Sequence, residues 1–179
     1  MNTKDSLKIV ERYQNRAEIL DQKIISFTGE LNHPPESIFP LLCPVREADW
    51  IPDWDAQLLH TTSGYAEENC VFRTYDSDHK GGGTWICITY NPSREIEYIR
   101  VSPHLVTRIR IILTLLSPNV TLITWNKFHS ALDSIGNKQI GKDHSADKMK
   151  KSLLTMLAYY LDNGEIIPKI KLAMHVGHG

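Results

Sequence analysis

Pro34-Pro-Glu-Ser-Ile-Phe-Pro-Leu-Leu-Cys-Pro-Val-Arg-Glu-Ala-Asp-Trp-Ile-Pro-Asp-Trp-Asp55 is the stretch whose reading decides the fold. Its prolines fall too often for one long helix, because each removes an N–H donor and crowds the preceding turn. The segment therefore reads as two short helices, laid across the open end of whatever sheet the neighbouring residues build. With tryptophans at 50 and 54 and charges at 46, 47, 49, 53 and 55, it reads as the wall and mouth of an internal cavity.

On its N-terminal side lies a strand: Ile24 to Leu31 alternates over Ile25, Phe27 and Gly29. On its C-terminal side the chain is strongly β. Candidate strands run from Ala56 to Thr62, Asn69 to Tyr75, Thr84 to Tyr90, Glu95 to Ser102, Val106 to Leu116 and Val120 to Ala131. Asp76 to Gly83, with three consecutive glycines, reads as a hairpin loop, and Asn91-Pro92-Ser93 as a turn. Connectors this short join neighbours antiparallel, so the strands form a meander. On the sixth, Thr107, Ile109, Ile111, Leu113 and Leu115 share one face; on the seventh, Thr121, Ile123, Trp125, Lys127 and His129 do. Leu132 to Gly141 reads as a polar loop. Ala146, Met149, Leu153, Met156, Leu157 and Tyr160 then recur at helical spacing, with Asp143 or Ser145 as cap and Asn163-Gly164 as the stop. The expected division is an N-terminal extension over 1–21, read as a helix, a folded domain over 22–162 and a tail over 163–179.

The resulting α+β order is a strand, two short helices, six strands and a long helix. A seven-stranded curved antiparallel sheet must bury one face, and the long C-terminal helix is the large amphipathic element available to cover it. One helix does not fill such a concavity, so a cavity is expected between the two.

The chain resembles the START and birch-pollen-allergen superfamily (SRPBCC), with its helix-grip fold and its polyketide cyclase/dehydrase-like members. The resemblance is carried by the element order, by Pro34-Pro35-Glu36-Ser37-Ile38-Phe39, and by Cys43-Pro44-Val45-Arg46-Glu47 leading to Asp49-Trp50-Ile51. Gly64 to Glu67, Cys70 to Thr74, Gly83-Thr84-Trp85, Ile96-Glu97-Tyr98, Ser130-Ala131-Leu132 and Gly136-Asn137 add to it. It spans roughly residues 22–161. It implies the helix grip and one internal cavity, which the superfamily uses for lipid binding, hormone sensing, ring closure or hydrolase activation. Fold alone does not choose among these.

Composition narrows the classes. The chain has 179 residues, 41% hydrophobic and 23% charged, as in an ordinary globular domain. Its 20 basic and 21 acidic residues give a net charge of -1 with neither sign gathered in a block, which argues against general nucleic-acid binding. No stretch has the roughly 20 apolar residues of a membrane span. The N-terminus has no apolar signal core, so the cytoplasm is the expected compartment. Cys43, Cys70 and Cys87 lack the paired spacing of a metal or disulfide framework and read as buried hydrophobes. His175 and His178 have no third ligand, so no metal is expected, and no cofactor fingerprint is present.

The candidate ligand-binding residues are Trp50, Trp54, Phe72, Trp85, Tyr98, Arg100 and Trp125: aromatic walls with a few polar groups. The candidate acid–base residues are His129, Asp49 and Glu47, with Tyr98 and Arg100 placed to hold an oxyanion. For His129 and Arg100, an outward position on the strands' wet side is the preferred alternative. Two function classes emerge: a module that binds a small apolar or amphipathic molecule, and a cyclase/dehydratase-like enzyme. A protein-interaction role through the sheet's outer face or the N-terminal arm, including a homodimer, is the third.

Overall fold

A computed structural model describes residues 20–75, 82–142 and 146–176. The expectations for the N-terminal arm, for Asp76 to Gly81, for Asp143 or Ser145 as a cap and for His178 lie outside the described residues.

Strands β1 (Gln22–Leu31), β2 (Ala56–His60), β3 (Val71–Thr74), β4 (Gly83–Asn91), β5 (Glu95–Val101), β6 (Leu105–Ser117) and β7 (Val120–Ala131) form one antiparallel sheet in the order β1-β7-β6-β5-β4-β3-β2. The first strand pairs with the last, and the rest is the expected meander. Between β1 and β2 lie helix α1 (Pro35–Ile38), a 3₁₀ turn (Phe39–Leu42) and helix α2 (Pro44–Glu47). Pro35 and Pro44 each occupy a first helical position, where a missing N–H costs nothing. Cys43, extended at φ -74° and ψ 134°, separates the two pieces. After β7 come α3 (Ser134–Lys142), α4 (Ala146–Asn163) and α5 (Lys169–Val176).

Two segments differ from the sequence reading. Leu132 to Gly141 is not a loop: α3 occupies most of it, and the Asp133 carboxylate accepts the N–H groups of Ile135 and Gly136 at 2.9 and 2.8 Å, which starts the helix. Gly136, which has the look of a breaker, sits where a Cβ would overlap the carbonyl oxygen of His104, so α3 can lie against the β5–β6 turn only with glycine there. Residues beyond Gly164 are not a bare tail either, since α5 packs on α4 with Ile167 buried at the bend. The stop of α4 is as read: Gly164 has φ +72° and its N–H donates to the Tyr160 carbonyl at 2.7 Å.

The core lies between the concave face of the sheet and α4. Phe27, Ile96, Ile111, Leu113, Ile123 and Trp125 rise from the sheet, Met156 and Leu157 descend from the helix, and Ile38, Leu41, Leu42 and Trp50 close one end. Gly29 lets β1 approach α4 closely, because any side chain there would meet Leu154. The convex face carries ion pairs and hydrogen bonds between strands. Buried Glu97 pairs with Arg108, Arg110 with Glu95, and Ser26 donates to Asn126. All three cysteines are free and buried. No helix among the described residues is long and apolar enough to cross a membrane.

Candidate functional site

The register of the sheet lays its concave face out in rows. One runs Phe27, Trp125, Ile111, Ile96 and Tyr90 across five strands. The next runs Ile25, Lys127, Ile109, Tyr98 and Cys87. The third runs His129, Thr107, Arg100, Trp85 and Phe72. The first is apolar; the other two interleave aromatic rings with cationic and hydroxyl groups. Over these rows lies a cavity of about 230 Å³. Phe72, Trp85, Tyr98, Arg100, Thr107, Ile109, Ile111, Trp125 and Lys127 form its floor, Glu47, Ile51 and Trp54 one wall, and Leu153 of α4 the roof.

The aromatic walls brace one another. Trp85 stacks on Phe72 at 5.5 Å between centroids, and Tyr98 meets Phe72 edge-on at 5.5 Å. Each polar tip is tied: the Trp85 indole N–H donates to Thr74 at 2.9 Å, and the Tyr98 hydroxyl donates to the Leu42 carbonyl at 3.0 Å. That second bond fastens the α1–α2 segment to the sheet. It also commits the Tyr98 proton to the backbone, so the ring serves as wall rather than as oxyanion donor. The Arg100 guanidinium lies over the Trp85 ring at 5.6 Å. It can lie flat because residue 83 is glycine; a Cβ there would overlap its side chain.

Glu47 is the acid of the cavity. Among the described residues its side chain makes no hydrogen bond and no ion pair, and burial pushes its carboxyl up to about 8. Burial is the whole cause, so neither cation of the cavity offsets it. Its carboxyl is therefore largely protonated at neutral pH. Burial also drives the Tyr98 hydroxyl well up, and the nearby Glu47 adds to that.

A second hollow of about 370 Å³ opens on the other side of the helix pair, lined by Phe39, Pro40, Cys43, Arg46, Tyr65 and Tyr90 among others. Two of its polar groups are already engaged. Arg46 is paired with Asp49, and the Cys43 sulfur accepts the Ala66 N–H at 3.1 Å while burial pushes its thiol up. The larger hollow thus offers less chemistry than the smaller one.

No family model matches the sequence and no curated relative does. Solved structures do match in shape. Norcoclaurine synthase from Thalictrum flavum superposes with a TM-score of 0.62 at 9% identity, covering 83% of this chain and 99% of the synthase. A START superfamily protein from Mycobacterium smegmatis gives 0.56 at 17% identity over 78% of this chain and 97% of its own. DynU16, from the dynemicin biosynthetic locus, gives 0.55 at 14% identity over 79% of this chain and 48% of its own. The fold these structures share with the chain is the helix grip.

On this helix grip, six of the seven expected ligand-binding residues meet at one cavity: Trp54, Phe72, Trp85, Tyr98, Arg100 and Trp125. Trp50 does not join them. It is 0% exposed, and its indole N–H donates to the Leu41 carbonyl at 2.8 Å, tying the turn after α2 to the 3₁₀ turn. Trp54 keeps its place on the wall by donating to the Pro44 carbonyl at 2.8 Å. The two rings part because Asp53 adopts φ +59° after Pro52, which ends the helical spacing that would have kept them on one face. Among the acid–base candidates, Glu47 faces the cavity. Asp49 does not line it; its carboxylate holds Arg46, half-exposed beside the second hollow. His129 is not on the wet side of its strand. It is 5% exposed, in the third row, with Nδ1 at 3.0 Å from the Thr107 hydroxyl. It stands behind Thr107 rather than on the cavity surface. Sequence reasoning misses Lys127, Thr107 and Ile51 as site residues. Lys127 and Thr107 share strand faces with residues it does single out, so the same alternation identifies them. Among the described residues no cluster of His, Cys, Asp or Glu could hold a metal ion.

Proposed function

We propose that the protein binds a small amphipathic molecule in the cavity between the sheet and α4. One observation carries this reading: aromatic residues from β3, β4, β5, β7 and the α2–β2 segment converge on one hollow that also holds Glu47, Arg100, Thr107 and Lys127. Apolar walls with a few placed polar groups are what a small-molecule site needs. Size limits the guest. A dry apolar cavity of about 150 Å³ takes benzene, and sites for drug-sized ligands start near ~300 Å³. At about 230 Å³ the cavity suits one ring with a short substituent rather than a long lipid chain. A like-folded protein, norcoclaurine synthase, has been solved with dopamine and hydroxybenzaldehyde, two single-ring aromatics.

Native mass spectrometry of the purified protein, followed by solvent extraction, tests the reading directly. A stoichiometric single-ring compound is the expected result. Protein that carries nothing and takes up no single-ring compound, judged by unchanged tryptophan emission, would end it.

A second reading is favoured by Glu47: an enzyme of the cyclase/dehydratase kind that moves a proton on an enolisable carbonyl compound. A carboxyl held near pH 8 can both give and take a proton close to neutrality. This reading expects turnover to be lost in Glu47→Gln while binding persists. Undiminished turnover in that variant would remove it.

A further inference from the structure

We propose that the cavity selects a single-ring aromatic ligand bearing a basic nitrogen, whose ammonium group pairs with the Glu47 carboxylate among the ring faces of Trp54, Phe72 and Tyr98. The proposal rests on the small-molecule reading above and names the chemistry of its guest. Its starting point is a cost. A half-buried acid lining a mostly apolar cavity is unfavourable in its charged form, and no described residue hydrogen-bonds or pairs with it. A ligand cation does so, and the attraction is stronger there than in bulk water because the apolar walls lower the local dielectric. The walls suit such a cation. Aromatic faces attract ammonium groups, and the cavity already seats one cation this way, the Arg100 guanidinium over Trp85.

The remaining groups around Glu47 leave it that role. Tyr98, facing it from β5, gives its proton to Leu42. Cys43, at the start of its own helix, is a buried thiol pushed upward. Lys127 is separated from Tyr98 by Ile109, about 10 Å across two strands. Arg100 lies a row further along β5, and α4 contributes Leu153 to the roof. In the empty cavity near pH 7 Glu47 holds its proton. When an ammonium ion enters, that proton leaves for solvent, so one proton is released per ligand bound. The amine accordingly binds more weakly as pH falls below 8, and the release vanishes well above it.

Calorimetry at pH 7 in two buffers of different ionisation enthalpy tests this with three probes of one shape: 2-phenylethylamine, 2-phenylethanol and 3-phenylpropionate. The expected result is that the amine binds about tenfold or more tighter than the alcohol, with a buffer-dependent enthalpy reporting close to one proton released. In Glu47→Gln, which keeps the side chain's shape, that preference disappears. Equal affinities of amine and alcohol, or a preference that survives in the variant, overturn the proposal. If the alcohol or the acid binds and the amine does not, the cation assignment falls while the small-molecule reading stands. If none of the three binds or alters tryptophan emission, both fall. The wild-type series stands without the variant, so the variant's folding does not decide the result.

Discussion

Glu47 holds its proton up to about pH 8 when folded, and loses it near 4.5 when the chain is open. Between those values the folded state binds more protons than the unfolded one, so this residue lowers stability as pH rises from about 4.5 to about 8 and has no further effect outside that window. With water in the cavity softening the penalty, the expected loss is on the order of 2 kcal/mol. Denaturant unfolding of wild type and Glu47→Gln at several pH values measures it. The variant gains relative to wild type as pH climbs, and a constant difference from pH 5 to 8 would contradict the assignment. The direction matters, since Glu67 and Asp133, held low by backbone N–H donors, act oppositely and at lower pH. Taking the difference between the two proteins removes their contribution.

At the scale of elements, α3 shows how far residue types mislead without their surroundings. It carries two glycines, and propensity treats them alike at about 1 kcal/mol each. The structure separates them. Gly136 meets the His104 backbone carbonyl, which cannot move aside, whereas Gly141 has nothing within 4 Å of an added Cβ. Gly136→Ala is expected to destabilise by about 2 kcal/mol or more, and Gly141→Ala to stabilise by about 0.5 kcal/mol. Chemical denaturation of both decides this, and two changes of the same sign would show that the close approach is not a constraint. The helix escapes a sequence reading for this reason: its glycines imitate a loop and mask the N-capping Asp133 that announces it. Trp50 escapes for a related one. Four-residue spacing from Trp54 implies a shared face only if the chain stays helical, and Pro52 with a left-handed Asp53 ends that. The strands need no such help. Alternation over Thr107 to Leu113 and Thr121 to Trp125 reports the buried face directly, because a strand's two-residue period admits only two faces. Thus the sheet and most of the cavity floor are legible in the sequence, and the helical edges are not. His129 falls between these cases. Its face is legible, but whether that face looks inward depends on α3 packing against β7.

At the scale of the molecule, stability is unevenly distributed. β6 and β7 are the longest strands, sit inside the sheet and pair over nearly their whole length. β2 is a five-residue edge strand with a register break between Leu58 and His60. Hydrogen exchange should therefore find the central amides of β6 and β7 opening only with global unfolding, and those of β2 exchanging about a hundredfold faster or more. Mass-resolved exchange on peptic fragments checks this, and equal protection across the sheet would refute it. Since Trp54, on the wall, lies two residues before β2, this soft edge lies beside the cavity rather than opposite it.

The rows of the concave face have a consequence for anyone wishing to alter the site. Because the register is unbroken from β1 through β5 at Tyr98, each floor position has an address: the strand sets one coordinate and the row the other. Moving a functional group one strand over shifts it about 4.8 Å, and moving it two residues along shifts it about 6.8 Å. Neither move touches the ion pairs of the convex side, whose residues occupy the intervening positions. The floor is in effect a coordinate grid for redesign, with its wiring kept on the reverse.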